Sequence, residues 1–193
     1  MTLEECRKNI DAIDPQIRQL LMKRVDCAYC VAQAKQAAGE TNVYRADREA
    51  AILERLGAEV PEDRRAGYLA VVRKVMETSR MYQYGLLYDW NEGIFDSIAG
   101  SSLIQGKTSS VKVHLTRQNR PNAMSSILAM IGDYGYNMSR MELMKETEEK
   151  VTFELTILGD ATLIPMKKLL FQLSKESENF CILECVSLTD RLV

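Results

Sequence analysis

LEECRKNIDAIDPQIRQLLMKRVDCAYCVAQAKQAA, residues 3–38, is the stretch whose reading decides the fold. Stepping along it alternately by four and three picks out Leu3, Arg7, Ile10, Asp14, Ile17, Leu21, Arg24, Ala28, Val31, Lys35 and Ala38. That is one stripe of a helix, with the spacing that faces a partner helix. Three cations, Arg7, Arg24 and Lys35, interrupt the seam, and removing such ions from water unpaired costs on the order of several kcal/mol each. Either their aliphatic stems lie along apolar surface with the heads in solvent, or the seam meets anions supplied by a ligand or a neighbouring chain.

The stretch contains one irregularity, Asp14-Pro15. Proline cannot donate to the carbonyl four residues back and disfavours helix in the residue before it, so either a new helix starts at Pro15 or the long one kinks there. The seam keeps its phase across the proline, which favours a kink. Gly39 supplies a C-terminal stop. Beyond it, residues 42–56 read as a second helix and residues 61–89 as a third, the latter opened by Pro61 and carrying Tyr68, Leu69, Val72, Val75, Met76, Tyr82 and Leu86 as its apolar run. A first helix of about 50 Å at 1.5 Å per residue is too long for the next two to cover. An intertwined homodimer is the expected solution.

From residue 91 to 110 the character changes to Gly93, Gly100, Gly106 and paired serines, with Ile94, Phe95 and Ile98 as a short apolar patch, the composition of a linker. The remainder alternates between the two periodicities: strand 111–115, helix 122–131, strands 138–144 and 151–158, helix 164–174 and strand 180–187. The order βαββαβ predicts a ferredoxin-like antiparallel sheet with both helices on one face. The chain therefore divides into a helical domain at 1–90, a linker at 91–110 and an α+β domain at 111–193.

With 193 residues, 46% of them hydrophobic and 27% charged, the chain can bury an ordinary core. A net charge of -2 argues against a protein built to grip nucleic acid or an anionic membrane, both of which call for a basic surface. No apolar run reaches the roughly 18 residues a membrane span needs, and the N-terminus lacks the plan of a secretion signal, so a cytoplasmic protein is expected. The five cysteines, an odd count, then read as reduced thiols. Cys27 and Cys30 have the spacing of a metal or redox pair but lie mid-helix, and the single histidine, His114, is distant; packing thiols and no metal site are expected.

With the cations in view, the first 90 residues or so resemble the all-helical chorismate mutase family. Arg7, within Cys6-Arg7-Lys8-Asn9-Ile10-Asp11, stands where the family has the arginine that crosses to the partner subunit's site. Arg24 is similar to the arginine that binds a substrate carboxylate, and Lys35 to the lysine that reaches the ether oxygen and a carboxylate. Arg48-Glu49 matches an Arg-Glu pair whose glutamate accepts the substrate hydroxyl. Ser79 and Gln83, four apart on the third helix, match the serine near the ring carboxylate and the glutamine that donates to the ether oxygen. One departure is Arg45, where the family commonly has aspartate.

Residues 111 to about 188 resemble an ACT domain, a small-molecule sensor that often binds amino acids at domain interfaces. Arg120-Pro121-Asn122-Ala123-Met124 resembles the loop entering its first helix, and residues 135–142, ending in Met141-Glu142, the turn into its second strand. The resemblance implies an effector site at Asn122, Ala123, Met124, Met141 and Glu142, with phenylalanine or tyrosine as the effector. Asn122 replaces the usual glycine, and Leu143-Met144-Lys145 replaces Ser-Arg-Pro.

The implied reaction is the pericyclic rearrangement of chorismate to prephenate in aromatic amino acid synthesis. It needs no cofactor, metal or nucleophile. It does need a folded substrate held by two carboxylates, and donors where charge grows on the ether oxygen; arginines hold carboxylates bidentately. Two alternatives stay open: an isochorismate pyruvate-lyase activity on nearly the same cations, and a non-catalytic small-molecule-binding regulator.

Overall fold

The structure is a computed structural model of the chain and describes residues 1–187. Residues 188–193, the end of the expected α+β domain, lie outside the described residues. Three helices come first, α1 (Leu3–Ala37), α2 (Ala46–Ala58) and α3 (Glu62–Trp90). Thr2 caps α1 through a reciprocal pair with Glu5, each side chain bonded to the other's backbone N–H, which satisfies two otherwise orphaned donors. Pro15 lies inside α1, which runs through it as one helix. At the other end Gly39 takes a φ of 68°, and the Gly39 and Glu40 N–H groups donate back to the carbonyls of Gln36 and Lys35, a Schellman termination.

The second helix begins four residues later than the periodicity predicts. Residues 42–45 stay outside it because distant groups claim their backbone. The Tyr84 hydroxyl accepts from the N–H groups of Val43 and Tyr44 at 3.2 and 3.1 Å, and the Asn42 carbonyl accepts from Lys35 Nζ at 2.9 Å.

The rest is a four-stranded sheet with two helices, β1 (Thr108–Gln118), α4 (Ala123–Asp133), β2 (Asn137–Glu146), β3 (Lys150–Leu158), α5 (Ile164–Glu176) and β4 (Glu178–Ser187). The strand order is β2-β3-β1-β4, with every neighbouring pair antiparallel. This is the expected ferredoxin-like topology, and the chain is helical first and α+β second, as the sequence predicts. Val113 sits opposite both Leu155 and Ile182. Val111, Val113, Leu115, Phe153, Leu155 and Ile157 face the core, where Ile127 and Ile131 of α4 and Met166, Leu169 and Leu170 of α5 cover them. The opposite face carries Lys112, His114 and Glu154, with Lys112 paired to Glu154 at 2.5 Å.

That core does not stop at the sheet. Tyr84 and Leu87 of α3 are fully buried within it, and the Tyr84 ring meets Phe171 of α5 edge-on at 5.9 Å. Residues 91–110 are also docked: two short 3-10 turns, Ile94–Ser97 and Ser101–Leu103, put Phe95 and Ile98 into the same core, and the Ile182 N–H donates to the Ala99 carbonyl at 2.9 Å.

The long first helix is the exception. Only Ala28 and Ala32 of α1 are buried, while Leu3, Ile10 and Leu20 are 67%, 55% and 66% exposed. A row of large apolar residues of this length, left open to water, marks an unpartnered interaction surface. No helix among the described residues is long and apolar enough to cross a membrane.

Candidate active site

The second half of α1, the start of α2 and the middle of α3 enclose a cavity of about 400 Å³. Arg24, Lys35, Arg48, Glu49, Ser79 and Gln83 all line it, so six of the seven residues singled out in the helical domain converge. Arg45 and Arg80 line it too, and Glu49 is the only carboxylate among the lining residues. Lys35, Arg45 and Arg80 have carboxylate partners in Glu40, Asp47, and Glu49 with Glu176, while Arg24 and Arg48 form no ion pair among the described residues, which leaves the cavity biased toward an anion. The seventh residue, Arg7, is absent from the lining; it lies 17 residues before Arg24 on the same helix, about 25 Å away at 1.5 Å per residue.

The donors are already oriented. Arg24 Nη1 donates to the Val75 carbonyl at 3.2 Å, tying α1 to α3. Lys35 Nζ donates to Glu40 Oε2 and to the Asn42 carbonyl, both at 2.9 Å, and its hydrogen bond holds the Glu40 carboxyl below the usual range. An ammonium has three donors, so one remains for a ligand. Gln83 Nε2 turns back to the Ser79 carbonyl and hydroxyl at 3.2 and 3.4 Å. Its Oε1 is buried and has no partner among the described residues. Arg45, exposed at the rim, pairs with Asp47 at 3.3 Å.

Arg80 is the residue that sequence reasoning missed. It is 7% exposed and pairs with two carboxylates, Glu49 through Nη1 and Glu176 through Nε at 2.9 Å. Gln172 Nε2 also donates to Glu176 Oε1, at 2.9 Å. Burial alone would lower the Arg80 pKa, but the two carboxylates outweigh it and raise it. Glu49 is asymmetric to this: burial pushes its carboxyl up, and the lowering by Arg80 does not cancel the rise because Glu176 and Glu77 add negative charge nearby. Arg80 divides its charge between two acids, so Glu49 is less firmly ionised than its ion pair suggests. A signal existed in the sequence. Met76, Arg80, Gln83, Tyr84 and Leu87 are the buried residues of α3, and stepping by four and three from Met76 puts Arg80 on that stripe.

The residues singled out in the α+β domain do not converge. Asn122 and Ala123 line a second cavity, between α2, α3 and the start of α4. Met124 is 45% exposed, Met141 packs against the core, and Glu142 pairs with Arg140 on β2. All five cysteines are free thiols, and no cluster among the described residues could hold a metal ion.

Residues 6–84 match the family model described as chorismate mutase type II. The match spans α1, α2 and most of α3. The matched stretch contains all seven candidate residues of the helical half and every residue that lines the anion cavity. No curated protein matches the chain. Among solved structures, one described as GqqA, a novel type of quorum quenching acylases, aligns over 40% of this chain and 41% of its own length, at 24% identity and a TM-score of 0.38. The prephenate dehydratase of Arthrobacter aurescens, solved in complex with L-Phe, aligns over 42% of this chain and 28% of its own, at 22% identity and a TM-score of 0.37. This chain spans less than half of either of those proteins.

Proposed function

We propose that the chain is a chorismate mutase, converting chorismate to prephenate. The observation that carries the reading is the cavity of the mutase domain, where Arg24, Lys35, Arg48, Glu49, Ser79 and Gln83 meet from three helices. Arg24 and Arg48 bind the substrate carboxylates and fix its folded conformer, which removes most of the entropy from the barrier. The remaining donor of Lys35 and the amide of Gln83, once turned away from Ser79, approach the ether oxygen and stabilise the charge that grows there. Glu49 accepts the substrate hydroxyl while Arg80 holds it in place. No proton has to leave the substrate.

The active form is a homodimer in which α1 of one chain covers that of the other and Arg7 enters the neighbouring cavity. The exposed apolar row of α1 supports this, and so does the distance of Arg7 from its own cavity. The chain divides at 1–90, 91–110 and 111–193, with the last part serving as an ACT-like regulatory domain for phenylalanine or tyrosine. The shared core of Tyr84, Leu87 and Phe171 gives such a domain a rigid connection to the mutase helices.

Separate incubation of the purified chain with chorismate and with isochorismate, followed by identification of the products, tests the reading. Prephenate from chorismate is expected; pyruvate release from isochorismate, or binding without turnover, would replace it.

A further inference from the structure

Gln83 and Tyr84 are neighbours on α3 that serve different surroundings. Gln83 lines the anion cavity, whereas Tyr84 is absent from that lining and is fully buried in the core shared with the sheet. Phe171 of α5 backs its ring, edge-on at 5.9 Å.

The Tyr84 hydroxyl is saturated by one short segment. A hydroxyl offers one donor and two lone pairs, and all three go to consecutive residues. It accepts from the N–H groups of Val43 and Tyr44 at 3.2 and 3.1 Å and donates to Asn42 Oδ1 at 3.3 Å. Burial, with the charge of Glu176 adding to it, pushes the phenol above its usual value, so the donor stays protonated. The segment so held is a wall of the anion cavity, which Val43 and Arg45 line. It also carries the Asn42 carbonyl, which accepts from Lys35 Nζ at 2.9 Å. The other acceptor of Lys35, Glu40, has a side chain 63% exposed and is screened by water. The backbone carbonyl is therefore the firmer guide for the ammonium.

We propose that Tyr84 is a positioning residue for Lys35. Its hydroxyl pins residues 42–44, the pinned Asn42 carbonyl fixes the direction of the ammonium, and the remaining N–H of Lys35 is left to the cavity. Through Phe171 and the Tyr84 ring, the α+β half supports a cavity to which it contributes no lining residue. The kinetic part of the test rests on the mutase reading; the link between Tyr84 and Lys35 does not.

Tyr84→Phe keeps the ring and removes the hydroxyl. Brief acetic anhydride labelling of the full chain, read by mass spectrometry, should acetylate Lys35 about threefold faster or more in this variant. Lys8, at the exposed start of α1, and Lys112, on the sheet, should keep their parental rates. In steady-state kinetics kcat should fall about tenfold with little change in KM. Adding Tyr84→Phe to Lys35→Ala should lower kcat no further, whereas a merely structural role would cut it again. Where Tyr84→Phe fails to fold, Asn42→Ala removes the acceptor of the phenol from the segment itself and should speed Lys35 labelling in the same direction. Labelling of Lys35 at the parental rate overturns the proposal. Faster labelling with kcat unchanged, or a further fall of kcat in the Lys35→Ala background, overturns the route from Tyr84 through Lys35 to turnover. Absence of prephenate from the parent chain overturns the mutase reading and leaves the labelling to decide whether Tyr84 holds Lys35.

Discussion

Arg80 Nε donates to Glu176 Oε1 at 2.9 Å, joining a helix of the mutase domain to the last helix of the sheet domain. The Glu176 carboxyl is fully buried and the Arg80 side chain is 9% exposed, so the pair has little water to fall back on. Removing one partner of a buried pair leaves the other uncompensated. Arg80→Met is expected to lower stability by about 3 kcal/mol, read as a lower midpoint in urea unfolding. An unchanged midpoint would show that the pair holds nothing together.

Under the proposed mechanism, Arg80, Glu49 and Glu176 are expected to set the acid side of the rate profile. In the proposed reaction Glu49 accepts the substrate hydroxyl more strongly when ionised, and its carboxyl is already raised, by burial first, with Arg80 lowering it and Glu176 raising it. Loss of the Arg80 charge should raise it further and move the acid limb of kcat/KM to higher pH. Glu176→Gln removes a raising charge and leaves Arg80 to Glu49 alone, so its limb should move to lower pH. Shifts of the same sign in the two variants would break the proposed link.

Lys35 is the sharpest test of the mutase cavity. Its ammonium is fixed by Glu40 and the Asn42 carbonyl with one donor left over. Losing a donor aimed at developing charge costs on the order of 3 kcal/mol, about a hundredfold to a thousandfold in kcat. Steady-state kinetics of Lys35→Ala should show this loss; turnover within a few fold of the parent places the chemistry elsewhere.

Arg7 and Lys35 together test the dimer. Neither Arg7→Ala nor Lys35→Ala alone should turn over well. If Arg7 serves the neighbouring site, mixing the two variants after unfolding and refolding creates heterodimers with one intact site and one doubly damaged site. Activity should then return to about a quarter of the parent's, half the dimers being mixed and half their sites complete. No recovery would mean that Arg7 works in its own chain or not at all.

Gly100 tests the docked connection. Its φ is +81°, and a Cβ there would lie 2.1 Å from the Ile182 carbonyl oxygen on β4. Gly100→Ala therefore combines a left-handed backbone cost with a clash against backbone, together on the order of 3 kcal/mol. Thermal unfolding should show a clear drop in Tm, with the Gly106→Ala control, where a Cβ meets nothing within 4 Å, close to the parent.

The periodicity of residues 3–38 by itself determined the long helix and the positions of Arg24 and Lys35, because 3.6 residues per turn fixes which side chains share a face whatever the helix packs against. Alternation likewise determined the βαββαβ order, since period-two burial survives in one sheet face. What local pattern does not encode is which distant charge meets which. Arg80 reaches Glu49 across 31 positions and Glu176 across 96, and Tyr84 holds residues 43 and 44 out of the helix from about 40 positions away. The tertiary structure alone decided these pairings. It thereby made Glu49 part of both cavities, because in a low-dielectric interior the placement of each ion is set by the nearest opposite charge, and that neighbour is chosen by packing rather than by spacing along the chain.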